Sequence, residues 1–180
     1  KSIDLPKALS IKNNKTKNKL FLNFIGSGNY ATKILIPAFK KTGVNLRNIS
    51  ANQGLGPTWY GKKYGFKFAS TDSEKLIHDK KANVIVITSR HESHAKYVIK
   101  SLNEGKNVFV EKPLCINEDE LKNIKKALIK NGSKSILTVG FNRRYSPHIL
   151  QIKKELDRSK APKSIIYTCN AGFIDSSHWT

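Results

Sequence analysis

Methionine is absent from all 180 residues, cysteine occurs only twice, and acidic residues number 13 against 33 lysines and arginines. The missing methionine predicts an excised or processed segment, since a natural chain starts with one. Cys115 and Cys169 stand far apart and form no metal spacing, so a cytoplasmic protein with free thiols and no disulfide framework is expected. No apolar run approaches the roughly 20 residues of a membrane helix, and no signal-peptide core is present. The scarcity of acids leaves a net charge of +20 and raises the question of nucleic acid. Only five of the basic residues are arginine, the side chain that base-reading sites favour, and the lysines are scattered over predicted helix faces. Solvated surface is the reading that fits this distribution, and no nucleic-acid partner is expected.

What is there is organised. Residues 1–18 are polar, lysine-rich and aperiodic, the signature of a linker or tail. From Lys19 onward apolar strand-like runs alternate with helical patterns. Leu20 to Ile25 reads as a strand, and Ala31, Ile34, Leu35, Ala38 and Phe39 mark one face of a helix over about 29–41. Gly43 ends that helix, and Pro37 inside it predicts a kink or a displaced backbone bond. Strands follow at about 46–51, 66–69, 84–88, at NVFVEKP and at SILTVG, with a short helix predicted around TWYGKKYGF. Thr71-Asp72-Ser73-Glu74 fits a capping box, Asn117 with Glu120 a second, and Ser146-Pro147 an N-cap and first helical position. The helix after Ser146 carries Ile149, Ile152 and Leu156 on one face, and SIIYTCNA reads as a further strand. Alternating strands and helices imply an α/β fold with a doubly wound parallel sheet over 19–145. Residues 146–180 then read as a connecting helix and the truncated start of a second, α+β domain.

The first strand runs into Gly26-Ser27-Gly28 and then directly into a helix. Gly26 permits a sharp turn, Gly28 lets the backbone approach a pyrophosphate, and Ala31 is small enough for helix and strand to pack. The helix N-terminus supplies N–H groups to phosphate. That context predicts a dinucleotide, although a structural turn is the plain alternative. The acidic residue that takes the ribose hydroxyls of NAD is missing from LRNISANQG, residues 46–54, and no arginine follows to favour NADP. Ser50, Asn52 and Gln53 can hydrogen-bond either ribose, and Lys62 or Lys63 is within sequence reach of a phosphate, so the cofactor is NAD or NADP. Glu111, Lys112 and Pro113 end another strand, where α/β sheets place ligands, and a lysine there can polarise a substrate oxygen.

GSGNYA, TSRHESH after the fourth strand, EKP after the fifth and VGFNRRYSP after the sixth together resemble the Gfo/Idh/MocA family of oxidoreductases, in order and spacing, from about Phe21 to Pro147. The resemblance implies a Rossmann domain in an NAD(P)-dependent dehydrogenase acting on a sugar-like small molecule. By it, Gly26, Gly28, Asn29 and Tyr30 line the pyrophosphate, and Thr88, Ser89, Arg90 and His94 flank the cofactor. Glu111 and Lys112 lie beside the nicotinamide, Lys112 orienting substrate, and Arg143 and Arg144 lead out of the domain. GNYA, LIPAF, GFNRRYSPH and a later HWT are most similar to a subgroup in which this unit follows a zinc alcohol-dehydrogenase-like unit. The family keeps its acid/base histidine, with an aspartate, in the second domain, and often forms homo-oligomers through that domain's open sheet. Asp175 and His178 fall in the stretch that resembles that domain's opening strand, which leaves the catalytic set incomplete here.

Two readings from other classes compete: a nucleotide-sensing module without chemistry, and a basic nucleic-acid-binding domain. His91 and His94 are three apart with no third ligand nearby, so no metal site is expected. His78 and His148 read as helix-surface residues, Cys115 as a small buried apolar one, and Trp59 and Tyr60 as packing residues.

Overall fold

The computed structural model describes residues 20–52, 55–130, 132, 134–170 and 172–173, so the expected linker over 1–18 and Asp175 with His178 lie outside the described residues. β1 (Phe21–Ile25) leads through the glycine turn to a π-helical turn (Ala31–Leu35) and α1 (Ile36–Lys41). Then follow β2 (Asn45–Ser50), α2 (Leu55–Tyr64), β3 (Phe68–Ser70) and α3 (Ser73–Ile77). β4 (Val84–Ile87), α4 (His94–Asn103), β5 (Asn107–Val110), α5 (Glu118–Lys130), β6 (Leu137–Val139) and α6 (Pro147–Asp157) complete the order. The six strands are all parallel and lie in the order β3-β2-β1-β4-β5-β6. The chain thus winds outward from β1 in one direction, returns, and winds outward in the other, the doubly wound arrangement.

Alternation of side chains along the strands builds two separate cores. Leu22, Phe24, Ile49 and Val86 face α1 and α2, where Phe39, Phe66 and Phe109 pack with them. Phe24 makes edge-to-face contacts with Phe39 and Phe66 at 5.7 Å each, the geometry that ring quadrupoles prefer. Ile25, Ile85, Ile87, Val108 and Val110 face the other way, onto α3, α4 and α5.

Pro37 is accommodated as its chemistry requires. The ring crowds a fourth-preceding carbonyl and offers no N–H, and the turn before it widens: Ile36 N–H donates to Ala31 O, five residues back. The capping motif at 71–74 is offset by one residue. Asp72, not Thr71, is the cap, its carboxylate accepting from Glu74 N and Lys75 N at 3.0 and 3.1 Å. Asn117 accepts from Glu120 N at 2.9 Å, while the Glu120 carboxylate returns to Ile116 N at 2.9 Å rather than to Asn117.

The register of β1 against β2 slips between Leu22 and Asn23, so that Leu22 pairs with Leu46 and Asn23 with Asn48. The buried Asn23 side chain repairs the slip, accepting from Asn48 N at 3.0 Å and donating to Leu76 O at 2.8 Å. Asp79 then gathers donors from Arg47 and Asn48 onto one carboxylate oxygen.

One expectation from the C-terminal part is corrected and one is met. α6 forms behind its Ser146 cap, but Ile149 and Ile152 stay exposed and no residue of α6 is buried. SIIYTCNA forms no strand over its described residues 164–170, and Ile165, Ile166 and Tyr167 are exposed. Strand propensity is present there, but among the described residues no neighbouring strand supplies a ladder.

Candidate functional site

The direction of winding reverses at β1, and the carboxyl ends of β1 and β4 part there to leave a crevice, the place where open α/β sheets take ligands. Gly26 forms its floor. Its N–H donates to Ser50 O at 2.7 Å, and Thr88 N–H donates to Ile25 O at 2.8 Å, so the turn is stitched to β2 on one side and β4 on the other. The Thr88 hydroxyl reaches Ile25 O and Gly26 O at 3.2 and 3.1 Å. Gly26 has φ +108° and lies so close to the Thr88 carbonyl that no side chain fits.

Gly28 differs in kind. A Cβ there would meet nothing within 4 Å, so the space above it is open. Its carbonyl accepts from Thr32 N–H at 3.0 Å and the Thr32 hydroxyl at 2.9 Å, which starts the helix and leaves the preceding N–H groups directed outward. The cleft above this turn measures about 680 Å³. Ala51, Asn52, Gly56 and Ser73 wall it on the β2 side, and Thr88, Ser89, Arg90 and Tyr97 on the β4 side.

Of the residues singled out in the sequence, Gly26, Gly28, Asn52, Thr88, Ser89 and Arg90 come together around this cleft. Asn29 and Tyr30 follow the turn on the exposed start of the helix, and the Tyr30 hydroxyl accepts a hydrogen bond from Asn142 after β6. His94 does not line the cleft. It is 1% exposed, with Nδ1 2.6 Å from Pro113 O and Nε2 3.0 Å from Ser89 O, and so ties the loop after β4 to the turn after β5. Its ring centroid is 5.7 Å from that of His91. Burial, then the charges of His94 and Lys112, push the His91 pKa down.

Glu111 and Lys112 follow β5 as Thr88 and Ser89 follow the neighbouring β4, with Glu111 N–H donating to Ile87 O at 2.9 Å, but neither Glu111 nor Lys112 is among the residues that line the cleft. The Lys112 side chain is exposed, and its peptide bond to Pro113 is cis. Glu111 Oε1 is buried without a hydrogen-bond partner among the described residues. Burial raises the Glu111 pKa, with the Lys112 backbone N–H and the charges of Lys112 and His94 opposing it. Arg143 is exposed on the 3₁₀ turn Asn142–Tyr145 and is not among the residues that line the cleft.

Sequence reasoning passed over Ser27, Gly56, Ser73 and Tyr97 as lining residues. Ser73 carried only a capping signal, and Tyr97 stands one turn beyond Ser93 on α4, a spacing that reads as ordinary helix surface. Among the described residues no three histidine, cysteine, aspartate or glutamate side chains gather as metal ligands, and no helix is long and apolar enough to cross a membrane.

An open glycine at a helix start, on a stitched turn between two parallel strands, fits a dinucleotide pyrophosphate. Comparison with known proteins agrees. Over 86 residues the chain is 38% identical to the inositol 2-dehydrogenase of Salmonella typhimurium, a match covering 48% of the chain and 25% of that protein. It is 30% identical over 142 residues to oxidoreductase P35 of Formosa agariphila, covering 78% of the chain and 44% of the relative. The crystal structure of myo-inositol 2-dehydrogenase from Lactobacillus plantarum matches with a TM-score of 0.71 at 26% identity, over 77% of the chain and 41% of that structure. The chain thus spans less than half the length of these relatives. Residues 22–141 match the family model described as an oxidoreductase family with an NAD-binding Rossmann fold, and the chain belongs to that family, Gfo/Idh/MocA, as an NAD-binding oxidoreductase domain.

Proposed function

We propose that the chain is the nucleotide-binding part of an NAD(P)-dependent dehydrogenase that moves a hydride between nicotinamide and a C–O carbon of a sugar-like polyol. One observation carries the reading. The cleft at β1 and β4 and the Glu111-Lys112 pair at the end of β5 occupy the same sheet edge, on adjacent strands in register. Gly26 and Gly28 would hold the pyrophosphate of the dinucleotide, and Glu111 with Lys112 would lie at its nicotinamide end.

Bound nicotinamide supplies the hydride acceptor or donor. The protein's part is to position and to polarise. Thr88 and Ser89 would wall the cofactor, while the exposed Lys112 ammonium donates to the substrate oxygen and stabilises negative charge that develops there. The hydroxyl proton goes to the acid/base histidine that the family resemblance implies in the second domain. His94 keeps the two loops at fixed separation through Ser89 O and Pro113 O. The inositol dehydrogenases among the relatives support a polyol as the small-molecule partner. The same reading makes 19–145 the nucleotide domain and 146–180 the start of a substrate domain. It puts the protein in the cytoplasm as a homo-oligomer, with neither membrane nor nucleic acid as a partner.

The test is polyol oxidation by the full-length protein, followed through reduced nicotinamide with myo-inositol as the first substrate. Lys112→Ala should lower turnover by about a hundred-fold or more while cofactor affinity stays within about three-fold. Turnover that survives Lys112→Ala would refute the role of this lysine. Absence of cofactor binding would refute the reading of the cleft.

A further inference from the structure

Beyond Ser50, the last residue of β2, Ala51 and Asn52 form the cleft wall on the side away from β4. In dinucleotide folds this is where a carboxylate accepts the ribose hydroxyls of NAD and repels the 2′-phosphate of NADP. Residues 46–54 contain no acid, and Asn52, exposed at the rim, stands where that carboxylate would be. Its amide offers an acceptor and two donors, so it can pair with a hydroxyl or with a phosphate oxygen.

The acids nearest this wall are engaged elsewhere. Asp72, which precedes the lining residue Ser73, holds Glu74 N and Lys75 N at 3.0 and 3.1 Å. Glu74 pairs with Lys96 and Lys100 at 2.9 and 2.6 Å. The charged residues lining the cleft, Arg90 and Glu92, both belong to the β4 side. Ser50 is fully buried with its hydroxyl 2.9 Å from that of Ser73, so it turns inward and does not compete for the ribose. No residue described as lining the β2 wall carries a negative charge, and the net charge of +20 attracts the more highly charged of two otherwise similar ligands.

We infer that this cleft takes NADP(H) as readily as NAD(H), and that Asn52 is the residue that sets this tolerance. The inference rests on the reading of the cleft as a nicotinamide dinucleotide site. It is tested by calorimetric titration of the full-length protein with NADH and with NADPH in one buffer of moderate ionic strength. The two dissociation constants should agree within about ten-fold. Asn52→Asp should weaken NADPH by about ten-fold or more and change NADH by less than about three-fold. As an exposed, near-isosteric change, it should leave the melting curve in place.

A wild-type preference for NADH beyond that ten-fold margin overturns the inference and leaves the dinucleotide site intact. So does an Asn52→Asp variant whose ratio of the two constants is unaltered. Binding of neither cofactor overturns the reading of the cleft itself, and the inference falls with it.

Discussion

The same methyl group should have opposite consequences at two glycines separated by one residue. At Gly26 a Cβ would lie 2.5 Å from both the Thr88 carbonyl carbon and its oxygen and 2.7 Å from Ser89 N. These are backbone atoms at the mouth of β4, and they cannot swing aside as the tip of a side chain can. Alanine at φ +108° also enters a backbone region that costs about 1–3 kcal/mol for a residue with a Cβ. Relieving the contact by moving the β4 loop costs about 1–3 kcal/mol more. A loss near 4 kcal/mol, about the middle of the combined range, is a large share of the roughly 5–15 kcal/mol that holds a domain folded. At roughly 2–4 °C per kcal/mol for a chain of this size, Gly26→Ala should melt about 8–16 °C lower.

Gly28→Ala meets open space instead and should shift the melting point by less than about 3 °C, the small penalty of alanine at a helix start. Its methyl group projects where a pyrophosphate would lie and should weaken NADH binding by about ten-fold or more. Thermal melts followed by circular dichroism, with NADH titrations on the same samples, read both effects. A Gly26→Ala variant that melts with the wild type, or a Gly28→Ala variant that binds NADH normally, would refute the division of labour between turn and cradle.

Asp79 should set the acid limit of the fold. Burial acts to raise its pKa, but hydrogen bonds from Arg47, Lys81 N–H and Asn23 outweigh it and hold the carboxyl below its ordinary value. A carboxylate lowered in the folded state stabilises above its unfolded pKa of about 4 and loses that contribution as pH falls through the folded value. Urea midpoints should therefore fall for the wild type below about pH 4, and Asp79→Asn, weaker at neutral pH, should show a flatter acid limb; parallel curves would contradict this account. His94→Ala should remove the imidazole from between the half-buried Ser89 and Pro113 carbonyls, at about 1–3 kcal/mol for the lost hydrogen bond, plus about 2–5 kcal/mol for the cavity left by the fully buried ring. Urea denaturation should register a loss of several kcal/mol, and a loss below about 1 kcal/mol would show that water replaces the ring without difficulty.

The α/β winding was legible because it is written locally. A run such as VIVIT between two helical patterns identifies a strand covered on both faces, and strands joined through helices must run parallel. The glycine turn was legible for the same reason: its strand, its glycines and its helix are contiguous. The offset of the cap from Thr71 to Asp72 shows the limit of such local patterns, since each residue offers a suitable oxygen one position from the other. The Asn23–Asp79–Arg47 network could not be read at all, because its members come from β1, β2 and the loop beyond α3 and carry no mutual spacing. Ser73 and Tyr97 were missed as cleft residues on similar grounds, each arriving from a segment that meets the glycine turn only after the sheet is assembled. SIIYTCNA failed in the reverse sense: its local preference is genuine, yet a strand exists only beside another strand.

The two cores on opposite faces of the sheet bear on how the molecule opens. They share strands but not side chains, so the α1 and α2 layer can loosen without first unpacking α3, α4 and α5. Amide exchange should then resolve two protection classes, with each layer reporting its own opening free energy. The glycine turn continues β1, whose side chains enter both cores, Leu22 and Phe24 on one face and Ile25 on the other. A ligand seated there grips both, and its binding free energy should slow exchange on the two faces together, joining two local openings into one cooperative unit.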